Sequence, residues 1–147
     1  MSPGTYIAKR RTAAGLSIGE VAAALARFPG ERQRLLVLLG ELERDSIHVT
    51  RSMLDRLRRC FRFDVLVAEQ LLDLHLSGDA AEVLPHPQLC RACACSWHDP
   101  CETDDGPCAW AERDLCTSCA EDPDGEPEET PAGALLAVND DAARAAA

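Results

Sequence analysis

Seven of the eight cysteines in this 147-residue chain lie between Cys90 and Cys119. Two C-x-x-C turns, Cys90/Cys93 and Cys116/Cys119, bracket the run. Such a turn aims two thiolates at one ion, and its backbone amides stabilise their charge. Two turns together supply four thiolates, the closed tetrahedral shell of a structural zinc site. Between them lie Cys95, His98, Cys101 and Cys108, a further four-ligand set that suits a second zinc. The same residues also fit free thiols with His98 on the surface, or two metals sharing a bridging thiolate without His98. Iron–sulfur ligation by cysteine alone fits the count as well. A catalytic zinc keeps one coordination position open and a general base nearby. The chain has no H-x-E of the kind zinc deaminases carry, and an all-thiolate shell is closed, so the reading is not an enzyme. Asp104-Asp105 reads as a polar loop rather than an acid–base pair, and His86, between Pro85 and Pro87, as linker. Trp97 and Trp110 are expected to pack over the cysteine turns as a miniature core, because so short a segment folds only with its metal.

Clustered cysteines are used for metal in a reducing compartment and for disulfides in an oxidising one. No apolar run approaches the roughly 20 residues of a membrane span, and the N-terminus lacks a basic–apolar–small signal pattern. The expectation is a cytoplasmic protein with zinc as its cofactor. The net charge of −10 conceals an asymmetry. Residues 1–76 carry twelve basic and nine acidic side chains, residues 77–147 three and sixteen. Four regions follow: a helical domain over 1–76, a linker over 77–89, a cysteine-rich zinc module over 90–119, and an acidic tail over 120–147. The tail is rich in proline and poor in apolar groups up to Pro131, which predicts disorder. A short helix over Ala132 to Val138 is an option within it.

The elements that must position this chemistry are helical. Tyr6 to Arg11 reads as a first helix, stopped by Gly15. Ser17 and Glu20 form a capping box that opens a second, with Ile18, Val21, Ala22 and Leu25 inward. Phe28-Pro29-Gly30 breaks it, and a third runs from Glu31 with Leu35, Leu38, Leu39 and Leu42 on one side. Thr50 caps a fourth with Met53, Leu54 and Leu57. Phe61 to Asp64 leads to a fifth with Val65, Leu66, Leu72 and Leu76. No alternating β-branched run competes, so the fold class is mainly α. Cys60, alone among apolar neighbours, reads as a small buried hydrophobe. The basic run Arg51, Arg56, Arg58, Arg59 and Arg62 reads as a solvated helix face.

The stretch from Ala8 to Ala22, with Leu42-Glu43-Arg44-Asp45 and the segment from Thr50 to Asp64, resembles a phage repressor/Cro-type helix-turn-helix domain. Ile18 departs from it, standing where that family has a polar residue, and the segment from Leu25 to Leu42 is longer than the family's. The resemblance implies double-stranded DNA as partner and transcriptional regulation as function. Lys9, Arg10 and Arg11 would neutralise phosphates, and Arg27, Arg32, Gln33 and Arg34 would supply the polar face of the recognition helix. The cysteine run is similar to a motif of uncharacterised phage and mobile-element proteins, matched at Cys90/Cys93/Cys95, Cys101, Cys108/Trp110 and Asp114-Leu115-Cys116/Cys119. That similarity implies metal and no particular activity. The alternative is a protein-interaction adaptor without DNA, built on the same bundle and zinc module. A protein partner through that module or the tail, or a homodimer, belongs to either reading.

Overall fold

The computed structural model describes residues 1–121. Five helices form the N-terminal body: α1 (Pro3–Ala13), α2 (Ile18–Leu25), α3 (Pro29–Glu43), α4 (Arg51–Leu57) and α5 (Val65–Ser77). Each boundary has a local cause. Ser2 caps α1 by accepting from the Thr5 amide, and Gly15 beyond its end takes a left-handed φ of 69°. Ser17 and Glu20 make the expected reciprocal box at α2. Thr50 accepts from the Met53 amide, and Asp64 from those of Leu66 and Val67. The third helix starts two residues before Glu31, because Pro29 sits in the first turn, where its missing N–H costs nothing.

The core is one cluster drawn from all five helices: Tyr6, Ile7, Val21, Leu35, Leu39, Leu42, Leu54, Leu57, Val67 and Leu71 are buried in it. Tyr6 ties α1 to the start of α5, since its hydroxyl accepts from the Asp64 amide at 3.0 Å. Desolvation by burial pushes that phenol well above its ordinary range. Leu66 and Leu76, expected on the apolar side of the fifth helix, are instead 75% and 60% exposed. The helix turns Val67, Ala68, Leu71 and Leu74 inward.

Residues 77–89 are not a free spacer. A 3-10 helix (Gly78–Val83) packs on α5, the Gln70 amide donates to the Pro85 carbonyl at 2.8 Å, and Leu89 joins the bundle core. The cysteine segment follows as two small antiparallel hairpins, β1 (Glu102–Thr103) with β2 (Gly106–Pro107) and β3 (Trp110–Glu112) with β4 (Leu115–Cys116), and a final turn α6 (Thr117–Ala120). Residues 122–147, and with them the expected disordered tail and the Ala132 to Val138 helix, lie outside the described residues. No described helix is long and apolar enough to cross a membrane.

One glycine marks a close approach. Gly4 is buried where α1 meets the end of α3, and its amide donates to Asp45 Oδ1 at 2.8 Å. A Cβ there would collide with the Leu42 backbone carbonyl and stand 2.8 Å from the same carboxylate oxygen. Gly19, by contrast, has only side-chain atoms at 3.8 and 3.9 Å around its Cβ position. Gly4→Ala is therefore expected to lower stability by about 1–3 kcal/mol. Gly19→Ala should leave it unchanged or raise it by up to about 1 kcal/mol. Denaturant unfolding of the two variants beside the parent chain checks the contrast.

Candidate metal centre

The first cysteine turn is built by backbone geometry. The Ala94 amide donates to the Cys90 carbonyl at 2.9 Å, and the Cys90 amide to the Cys95 carbonyl at 3.0 Å. Ala94, fully buried, adopts a left-handed φ of 60°, a conformation that costs a non-glycine residue about 1 kcal/mol or more. That reversal turns Cys95 back beside Cys93. The β1–β2 hairpin brings Cys101 and Cys108 opposite each other: the Cys108 amide donates to the Cys101 carbonyl at 2.8 Å, and the Cys101 amide to Cys108 Sγ at 3.2 Å. Cys116 enters from β4, its amide 3.5 Å from Cys90 Sγ. Arg91 holds the β3–β4 hairpin from outside by pairing with Glu112 at 2.8 Å and Asp114 at 2.6 Å.

All seven sulfurs converge on one cluster. Two overlapping groups have their ligand atoms within 4.8 Å of one another: Cys90, Cys93, Cys95 and Cys116, and Cys95, Cys101, Cys108 and Cys116. A metal ion can be held by either. Four sulfurs about 2.3 Å from a zinc ion stand about 3.8 Å apart along each edge of the tetrahedron. Cys93 and Cys116 are 3.8 Å apart, and Cys95 and Cys108 3.7 Å, so the donor set fits the ion. The grouping differs from the two separate sets expected from spacing. Cys95 enters the first group because the Ala94 reversal folds it inward. Cys119 lies on α6 beside Cys93 and Cys116, outside both groups. His98 also lies outside them, exposed in a shallow site with Phe63, Val65 and Leu66. Trp110 packs against the sulfur cluster, but Trp97 is 69% exposed and only leans on Trp110 at a centroid distance of 6.3 Å. The buried contents here are sulfurs rather than indoles.

The thiols share their protons unevenly. Hydrogen bonds from Cys101 and then Cys95 stabilise a thiolate at Cys93, driving its pKa far down. Donating to that thiolate pushes Cys101 up to about 12, and hydrogen bonds to Cys101 and then to Cys93 raise Cys95. Burial, then the same thiolate, raises Cys119. A second negative charge in this cluster is therefore opposed until a cation replaces the protons. Cys60 stands apart on the bundle, half-buried, with its thiol pushed up by desolvation.

The cysteine segment is locked to the bundle by charge. Arg10, on α1, is 6% exposed, and its Nη2 reaches Asp99 Oδ2 at 2.6 Å. Arg62 Nε stands 2.7 Å from Asp99 Oδ1, a charge contact that leaves this oxygen without a directed hydrogen bond. Arg62 also pairs with Glu102 at 2.6 Å. Lys9 Nζ donates to the Ala92 carbonyl at 3.0 Å, and Ala94 completes the bundle core.

This changes the inventory of free cations. Lys9 and Arg10 are taken up by the cysteine segment. Arg11 is held by Glu43 at 2.6 Å and by the Leu16 carbonyl at 2.6 Å. In this conformation Arg10 and Arg11 are therefore not presented to a phosphate, a correction to the expected row; the spacing of basic residues carries no sign of partners so far along the chain. In the run from Arg51 to Arg62, Arg51, Arg58, Arg59 and Arg62 are exposed, as a solvated face requires, although ion pairs form along it. Arg51 pairs with Glu69, Arg56 with Glu31, Arg58 with Asp55 and Arg62 with Asp99. Arg27, Arg32, Gln33 and Arg34 are exposed, and among the described residues none of these three arginines enters an ion pair. Asp99 was the functional residue that spacing alone could not reveal. Comparison with protein-family models, curated proteins and solved structures finds no match for this chain.

Two outcomes follow. Asp99→Ala should destabilise the protein by about 3 kcal/mol, since it strands a buried guanidinium, and adding Arg10→Met should recover much of the loss; thermal unfolding of both variants measures this. Thiols with raised pKa values are protonated at neutral pH and must release those protons to a metal. Adding zinc to the reduced, metal-free chain in weakly buffered solution at pH 7 should therefore acidify it, and lowering the pH should weaken the zinc affinity steeply.

Proposed function

We propose that this chain is a DNA-binding transcriptional regulator whose cysteine segment is a structural zinc module fastened to the first helix of a helix-turn-helix-like bundle. The observation that carries the reading is the exposed, unpaired row Arg27, Arg32, Gln33 and Arg34 at the short turn between α2 and α3 and the start of α3. A recognition helix offers its N-terminal residues to base edges and phosphates, and this row would supply them. Gln33 suits an adenine edge, and the arginines suit guanine or phosphate. Zinc suits the all-sulfur donor set, and a closed shell gives the centre a structural role. Zinc supplies the charge that lets several thiolates share a small volume. The chain's own residues do the rest: Asp99 orients the module on Arg10, and Arg91 secures its last hairpin.

The second reading, a protein-interaction adaptor, draws on a different observation. Leu66 and Trp97 are 75% and 69% exposed, and aromatic side chains anchor protein interfaces.

Duplex binding by the zinc-loaded full chain, followed by fluorescence anisotropy across a salt series, separates the two. Phosphate contacts by Arg27, Arg32 and Arg34 imply a shallow dependence, with log K falling by about 3 per decade of salt. Arg32→Ala/Arg34→Ala should abolish binding, whereas Arg51→Ala should not. Absence of binding to any duplex at low salt, including the DNA flanking its own gene, would overturn the regulator and leave the adaptor.

A further inference from the structure

We propose that the cysteine cluster is a dinuclear centre in which two metal ions share the sulfurs of Cys95 and Cys116. This rests on the reading of the cluster as a metal site and adds its stoichiometry and connectivity. Two tetrahedral ions need eight sulfur positions. Six cysteines satisfy them when two of the six bridge. The two groups in the structure together comprise six cysteines, Cys90, Cys93, Cys95, Cys101, Cys108 and Cys116, and they have two in common, Cys95 and Cys116. Both shared residues are buried, at 1% and 0% exposure, in the middle of the cluster. Of the four exclusive to one group, Cys93, Cys101 and Cys108 are half-buried and Cys90 is fully buried. Three of the four terminal cysteines are thus more exposed than the shared pair.

Charge supports the sharing. Two isolated four-thiolate sites would need eight thiolates and carry a net charge of −4 for two divalent ions. Six thiolates around two such ions carry −2, and a bridging sulfur divides its charge between both. An approach for the ions exists as well. Cys93 from the first group and Cys101 from the second both line an open groove between α1 and the cysteine segment, with Cys119 on its wall. Cys119, outside both groups, is thereby an entry thiol and not a permanent ligand.

The test uses cadmium-113, a spin-active substitute for zinc, loaded into the reduced full-length chain. Two bound ions per chain are expected, with two resonances in the all-sulfur region and a scalar coupling between them, because shared sulfurs connect the two nuclei. Cys108→Ala should remove one ion and leave the other, and Cys119→Ala should keep both ions and the coupling. Cys95→Ala should change the size of the coupling without abolishing it, because Cys116 still bridges; should that variant fail to fold, the Cys108 and Cys119 variants still decide. A single ion per chain, two resonances without coupling, or loss of an ion in Cys119→Ala would each overturn the bridged centre while leaving a metal site. No bound ion in the reduced parent would overturn the metal reading along with it.

Discussion

The constraint on which the rest of the structure depends is the mutual repulsion of thiolates packed into one small volume. Three of the cysteines are essentially without solvent contact, and little else fills the middle of the segment. Hairpins of two and three residues have almost no stability of their own. Neutral thiols leave such a segment weakly held, while unscreened thiolates would push it apart. A cation that binds several of them converts the repulsion into the strongest cross-link available to it, and the turns at Ala94 and Gly106 become affordable within that frame.

The same logic of compensation explains how the two halves meet. Asp99 is 3% exposed and would be costly alone. Arg10 and Arg62 approach it from the bundle, one from α1 and one from the segment between α4 and α5. A carboxylate in the acidic half is thus neutralised by the basic half, and the charge asymmetry of the sequence becomes an internal interface. The free basic surface is thereby smaller: among the described residues Arg27, Arg32 and Arg34 gather around the beginning of α3, and Arg44, Arg59 and Arg113 stand apart from them. The cysteine centre and the α1 helix are mechanically coupled by the same contact, so loss of metal ordering would reach the bundle through Arg10.

Helices were legible because their signals are local. Ser17 with Glu20, Thr50 and Asp64 each cap the amide two or three residues on, and no distant group is needed to recognise them. Pro29 as a first-turn residue was also local, although a Phe-Pro-Gly string reads more readily as a break. The cysteine cluster was legible as a metal site from residue type and spacing. Its partition was not, because membership depends on the positive φ of Ala94 and on how two hairpins fold against the first turn. The Arg10–Asp99 contact spans 89 positions of sequence, and only the tertiary fold identifies it. Trp97 was misplaced for a related reason: sulfurs occupy the interior that an indole core was expected to fill.

The central claim is that metal–sulfur bonding among Cys90 to Cys116 holds the cysteine segment together internally, while Asp99 fastens it to the helical bundle. Hydrogen exchange of the full-length reduced chain, with and without a strong chelator, tests it most directly. The expected result is that the amides of Ala94, Cys108 and Thr117, each hydrogen-bonded within the segment, lose their protection on chelation. Those of core residues Leu39 and Leu54 should keep theirs. Unchanged protection of Ala94, Cys108 and Thr117 after complete metal removal would contradict the account.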